Sequence, residues 1–236
     1  ERLSAGRDVR ARAMNDIPEH IMDWQREART GVPEAVLCSH KSVAQIAKII
    51  ADAETNNRRL LLTRLKPKAH RKLSESGVQL DYDRPSRTAI LGEPLPLRPS
   101  GIGVVAAGTS DMPVLREAVR TLAFSGLDCT QLADVGVAGL SRLMDRLDSL
   151  QSCSVIIAVA GMEGALFSVL GGLVRAPVIA VPSSVGYGVG KGGKVALHSA
   201  LTACAPGVVA VNIDNGYGAA VAAMKLVQAA SGSISA

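Results

Sequence analysis

The stretch "SVIIAVAGMEGALFSVLGGLVRAPVIAVPSS", Ser154–Ser184, decides the fold. It opens and closes on two runs, "SVIIAVAG" and "APVIAVPSS", that are apolar at nearly every position. A strand with no polar alternation has both faces covered, as in a parallel sheet with helices on either side. Between the two runs, "MEGALFSVLGGLV" has the length and apolar content of the connecting helix.

The same βα rhythm extends in both directions. Upstream, "GIGVVAAG" reads as a strand ending at Gly108. "DMPVLREAVRTLAFSG" follows as a helix capped by Asp111 or Ser110, with Pro113 in its first turn. "CTQLADVG" is a second strand and "GLSRLMDRLDSL" a second helix. Downstream, a Gly-rich loop leads to the helix "KVALHSALTA", the strand "GVVAVNID" and the last helix "GYGAAVAAMKLVQAA". Five βα units of this kind predict an α/β protein with a three-layer, flavodoxin- or Rossmann-like parallel sheet.

A boundary is expected at "GEPLPLRPSG", Gly92–Gly101, where three prolines favour an extended linker. It divides the chain into residues 1–98 and 99–236. The first part reads as a small α/β domain: strands in "EAVLCS", "RRLLLTRL", "VQLDYD" and "RTAILG", helices in "KSVAQIAKIIADAE" and "KAHRKLSES". A helical arm is expected in front of it, from about Asp8 to Ala28.

Composition narrows the function. Hydrophobic residues make up 47% of the 236 and charged residues 20%, enough for a sizeable core. Aromatics are only 3%, which argues against a base-stacking platform for nucleic acid. The basic excess is confined to residues 1–100, with 18 Lys+Arg against 13 Asp+Glu, while the remainder balances at 8 and 8. Such a surface is a solvated face, a site for a small anionic ligand, or a nucleic-acid contact, in falling order of expectation. Cys38, Cys129, Cys153 and Cys204 show neither a CxxC pair nor zinc spacing, and read as reduced thiols of a cytoplasmic protein. The first three are expected in the core, and His20, His40 and His70 on the surface. No apolar run is long enough for a membrane span. The charged opening "ERLSAGRDVRARAM" does not read as a signal peptide and is expected to be a trimmed end.

In an open α/β sheet the ligand lies beyond the carboxyl ends of the strands. Here those ends read "AAGTSD", "DVGVAG", "AVAGMEG", "VPSSVGYG" and "NIDNGYG". Each contains glycine, which lets backbone amides approach a ligand, and helix N-termini favour anions. Together they point to a phosphate- or carboxylate-bearing ligand. The candidate binding residues are Gly108, Thr109, Ser110, Asp111, Asp134, Gly136, Val137, Gly161, Met162, Ser183, Ser184, Asp214 and Asn215. Ser110 and Asp111 have helix capping as the plainer reading; Asp214 and Asn215 could form a turn, or hold a ribose or a metal. Glu163 is either a first-turn glutamate favoured by the helix dipole or an acid at the reacting centre. Cys204, in "HSALTACAPG", is either a structural thiol or a nucleophile. No spacing in the chain demands a metal.

The motifs "AGTSDMPV", "VAGMEGAL" and "PVIAVPSS" resemble the aminoimidazole-ribonucleotide carboxylase (PurE) fold. With "DVGVAG", "VPSSVGYG", "CAPGVVAVNIDNGYGAA" and, more weakly, "RTGVPEAV", the chain is most similar to the LarB branch, the pyridinium-3,5-biscarboxylate mononucleotide synthases of nickel-pincer cofactor biosynthesis. Classical PurE enzymes carry a histidine in the loop after the second strand; "DVGVAGL" has none. The LarB resemblance implies nicotinic acid adenine dinucleotide as substrate, CO2 as co-substrate, and no tightly bound cofactor. The pyridinium ring is carboxylated at C5 and the diphosphate hydrolysed to release AMP, a step magnesium would assist. It also implies that Cys204 adds to C4, giving an enamine that attacks CO2 from C5. Lys191, Lys194 or His198 would favour the thiolate, and Glu163 would serve as base or electrostatic partner. A homo-octamer is implied as well. The alternatives are a carboxylase or mutase of an aminoimidazole ribonucleotide, and a non-catalytic nucleotide-binding module, which would need the glycine loops but neither Cys204 nor Glu163.

Overall fold

A computed structural model of the chain describes residues 18–230 and 232. It contains two sheets, one on each side of the Gly92–Gly101 segment.

The larger sheet has five strands: β5 (Ile102–Ala106), β6 (Thr130–Leu132), β7 (Val155–Ala160), β8 (Val178–Pro182) and β9 (Val208–Ala210). All pairings are parallel, in the order β6-β5-β7-β8-β9. This is the flavodoxin-like order, with its switch point between β5 and β7. Every residue of β5, β7 and β8 is buried, as their unbroken apolar sequences require. Val104, Ile157 and Val181 face α4 (Met112–Phe124) and α9 (Gly216–Ala230); Val105, Ala158 and Ala180 face α7 (Ala165–Leu173) and α8 (Lys194–Leu201). The expected three-layer α/β architecture is therefore present.

Two of the expected elements differ in detail, and the buried face of the last helix is defined. "GLSRLMDRLDSL" is two short helices, α5 (Leu140–Met144) and α6 (Asp148–Gln151), because the amides of Arg146, Leu147, Ser149 and Leu150 donate to the carbonyls three residues before them. The last helix is buried along Gly216, Ala219, Ala220, Ala223 and Met224, whereas Leu226 is exposed. Of the expected arm, residues 8–17 lie outside the described residues. Residues 18–25 are not helical, and α1 spans only Arg26–Thr30 before Gly31 stops it in a left-handed conformation. Met22 and Trp24 pack on the small core, and the Asp23 amide donates to the Glu34 carboxylate at 2.7 Å.

The smaller sheet is mixed, in the order β1-β2-β4-β3: β1 (Ala35–Leu37), β2 (Leu60–Thr63), β3 (Asp81–Asp83) and β4 (Thr88–Leu91). One face packs on α2 (Val43–Thr55), whose Ser42 and Gln45 form a capping box, and on α3 (Pro67–Glu75). Cys38 belongs to that core, where burial pushes its thiol up to about 12, partly opposed by Lys41. Cys129 and Cys153 are only half-buried, because each precedes a strand at the open amino edge. His40 is exposed; His20 lies half-buried beside Asp52, and His70 is half-buried and stacked on Tyr82 at 4.0 Å.

The other face of β2 and β4 meets the large unit. Leu61 and Ile90 pack on Phe124 of α4, so that both strands are buried on both faces. Arg59 lies 4.5 Å over the Phe124 ring and donates to the Phe124 carbonyl. From α4, Arg116 pairs with Asp83, and Arg120 donates to the Thr88 hydroxyl and the Asp81 carbonyl, each at 2.7 Å.

Arg116 is the main cause holding the Asp83 carboxyl well below its usual range, and the Ser86 hydroxyl and amide add to this. A depressed carboxylate contributes stability above its unfolded pKa of about 3.9, and that contribution is lost as pH falls below it. Asp83→Asn is expected to lower unfolding stability by about 1–3 kcal/mol at pH 7, since it removes the negative charge facing Arg116 and one of the two oxygens that accept from Arg116 and Ser86. The gap from wild type should begin to narrow below about pH 4 and close only as pH approaches the depressed folded-state value. Denaturant titrations at pH 7 and pH 3 check this, and a gap of unchanged size at the lower pH would remove the ion pair as its cause.

Candidate functional site

The carboxyl ends of β5, β8 and β9 open into a cleft of about 410 Å³ between the two units. That size lies within the roughly 300–1,000 Å³ of small-molecule sites. One wall is the large sheet: Ser110, Val114 and Glu117 from the β5 loop and α4, Ser183, Ser184 and Val185 after β8, and Asp214 after β9. The opposite wall is the small unit: Ser39 after β1, Arg64 and Lys66 after β2, and Ser86 and Arg87 in the turn between β3 and β4.

On the large-sheet wall, acidic side chains are tied to loop amides. Asp111 is buried and accepts from the Gly108 amide at 2.9 Å instead of capping α4. Its Oδ1 has no hydrogen-bond partner among the described residues. Burial pushes its carboxyl up, the Ser183 hydroxyl and Gly108 amide hold it down, and the Asp214 charge raises it again. Glu117 is buried in α4 and accepts from the Gly216 amide at 3.0 Å, a carboxylate at the N-terminus of α9. Burial raises its pKa as well, against Arg64 and the amides of Tyr217 and Gly216. Asp214 adopts a left-handed φ of 54°, and its carboxylate accepts from the Ser184 amide at 2.8 Å. Arg64 crosses from the small unit and donates to the Asp214 carbonyl at 2.8 Å.

The remaining predicted residues do not share one role. Thr109 is exposed in the turn beside Ser110. Gly161 and Met162 shape the cleft from behind: a Cβ on Gly161 would run into the Val185 carbonyl, which already accepts from the Met162 amide at 3.0 Å. Gly136 serves close approach too, since its Cβ would lie 2.8 Å from the Ala107 carbonyl. Asp134 turns away and pairs with Arg142, and Val137 opens the short turn before α5. Asn215 is a helix cap, its Oδ1 accepting from the Gly218 amide at 2.8 Å. Glu163 is exposed on the β7–α7 loop, at the carboxyl edge but outside the cleft lining.

Cys204 stands apart from these. It is an exposed free thiol three residues after α8 and four before β9, hence on the amino edge of the sheet. Within one chain it does not join the cleft. Nor do Lys191, Lys194 and His198 line it. Among the described residues, no group of three His, Cys, Asp or Glu side chains is placed to hold a metal ion, and no helix is long and apolar enough to cross a membrane.

Sequence reasoning missed Arg64, Lys66, Arg87 and Glu117. The signal for the three cations was present as the basic excess of residues 1–100, but it did not single out positions. Glu117 sits in an ordinary amphipathic helix, and only the arrival of α9 buries it.

A doubly wound sheet thus presents its polar carboxyl-edge loops, across one cleft, to the cations of a second, smaller unit. Residues 101–236 match the AIR carboxylase family and residues 14–93 match the LarB/PurE-like N-terminal domain. The chain belongs to the LarB/PurE-like carboxylase family. It is 35% identical over 226 residues to the uncharacterized protein MJ0165 of Methanocaldococcus jannaschii, covering 91% of this chain and 87% of that protein.

Proposed function

We propose that the protein carboxylates the pyridinium ring of nicotinic acid adenine dinucleotide at C5 with CO2 and hydrolyses its diphosphate, releasing AMP, in nickel-pincer nucleotide biosynthesis. One observation carries the reading: the LarB-type N-terminal match is fused to an AIR carboxylase match that lacks a histidine in Asp134–Leu140. That departure disfavours an aminoimidazole ribonucleotide, and the cations along the cleft suit a dinucleotide's phosphates.

The chemistry divides one difficult step into two. The Cys204 thiolate adds to C4 of the cationic ring, and the electron pair moves to give a dihydropyridine that is nucleophilic at C5. C5 bonds to CO2; loss of the C5 proton and expulsion of the thiolate restore the ring. Because Cys204 lies on the far rim of its own sheet, this role requires the thiol of a neighbouring copy, which a closed homo-octamer would bring to the cleft. Glu163 takes the C5 proton or stabilises the cation.

Glu163→Gln is expected to keep nucleotide affinity within about 3-fold while lowering turnover by ~100-fold or more. Calorimetry and single-turnover rates check it; lost affinity at unchanged rate would make Glu163 a binding residue. The reading itself is tested by incubating the protein with the dinucleotide and bicarbonate and identifying products by mass spectrometry. A mononucleotide heavier by one carboxyl group, together with AMP, is expected. Turnover of aminoimidazole ribonucleotide instead would select the purine-type reading.

A further inference from the structure

We infer that the small N-terminal unit builds half of the ligand site, with Arg64, Lys66 and Arg87 holding phosphate groups against Ser110 and Ser184 of the large sheet. The identity of the ligand rests on the reading above; the anion site rests on the cleft alone.

Four observations carry it. First, the three cations stand together on one wall of the cleft. None makes an ion pair among the described residues, although Arg116, Arg120 and Arg142 nearby all do. Second, Arg64 and Arg87 both hold left-handed backbone, with φ of 54° and 55°. That conformation costs free energy for a residue with a Cβ and persists where the surroundings enforce it, commonly at ligand clamps. Here the Leu65 amide donates to the Arg87 carbonyl at 2.7 Å, fixing the two loops to each other.

Third, the facing wall offers donors: Ser110 and Ser184 are exposed there, whereas Ser183 is fully buried, its hydroxyl oxygen accepting from the Val185 amide and its O–H acting on the Asp111 carboxyl. The two carboxylates on that wall, Glu117 and Asp214, accept from the Gly216 and Ser184 amides; the Arg64 charge acts on Glu117 without an ion-pair contact, and Lys66 and Arg87 form no ion pair among the described residues. Fourth, the walls are held in register by Arg116 on Asp83 and Arg120 on Thr88, so the cations do not depend on the ligand for their placement. Three separated cations on two loops suit a diphosphate better than a single carboxylate.

The test is calorimetry of the full chain with inorganic pyrophosphate at two salt concentrations, comparing wild type with Lys66→Ala and Arg87→Asn. Asn tolerates left-handed backbone better than Arg, so Arg87→Asn should melt at or above the wild-type temperature. Each variant should bind pyrophosphate about 10-fold or more weakly and with a shallower salt dependence. Undetectable binding by wild type, or variants that bind as tightly as wild type, would overturn the inference. Dinucleotide turnover measured in parallel separates the two claims. Weakened pyrophosphate binding with no carboxylated product removes only the proposed substrate. Carboxylated product formed by both variants at unchanged KM removes only the clamp.

Discussion

Cys204→Ser should lower carboxylation by at least ~100-fold, a rise in the barrier of about 2.7 kcal/mol, with the melting temperature unchanged. The stability half follows from position: Cys204 is exposed and belongs to no core cluster, so exchanging sulfur for oxygen removes no packing. The activity half follows from chemistry. A seryl alkoxide is harder to form than a thiolate and harder to expel once bonded to C4. The neighbouring-copy requirement adds a sharper measurement. If the thiol of one subunit serves the cleft of another, mixing Cys204→Ser with Glu163→Gln and allowing subunits to exchange should restore part of the activity that each lacks alone. Light scattering would report the octamer under the same conditions. A monomeric protein with full activity leaves Cys204 on the wrong side of its sheet, and the covalent role fails.

The large sheet was legible because its three central strands, β5, β7 and β8, are apolar at every position, as a doubly covered parallel sheet requires. The carboxyl-edge loops followed from topology, and Ser110, Ser183, Ser184 and Asp214 do meet in one cleft. What was not legible depends on contacts distant in sequence. "LLLT" in β2 and "TAIL" in β4 are buried throughout because α4 of the other unit covers their second face, and nothing within residues 1–98 states what that cover is. Arg64 and Arg87 reach the cleft only because the β2–α3 and β3–β4 connections are pinned together in left-handed backbone, which arginine does not advertise. Asp111 had the position of a helix cap, yet its carboxylate turns back to the Gly108 amide, leaving one oxygen buried with no hydrogen-bond partner among the described residues. Local propensity reads a cap correctly when the first turn is all that competes for it; here the loop amide competes and wins.

Gly161→Ala is expected to cost about 2–4 kcal/mol of unfolding stability, lowering the melting temperature by roughly 2–4 °C per kcal/mol for a chain of this size. Gly161 closes β7 at the sheet's switch point, and its backbone is not left-handed, so conformational freedom is not the issue. Space is. The added methyl would meet the backbone carbonyl of Val185, which cannot swing aside as a flexible side chain would. The same carbonyl accepts from the Met162 amide at 3.0 Å, so pushing it away also breaks the bond that holds the β7 and β8 loops together. Val185 lines the cleft, and its displacement moves Ser183 and Ser184 with it; pyrophosphate affinity should therefore fall along with stability. Gly172→Ala is the matched control. It lies exposed near the end of α7 with nothing within 4 Å of an added methyl, and alanine there should stabilise by up to about 1 kcal/mol. Thermal melts of the two variants should thus move in opposite directions. If Gly161→Ala melts within about 2 °C of wild type, the loops are not packed as closely as described, and the cleft loses the rigid rear wall on which its binding geometry depends.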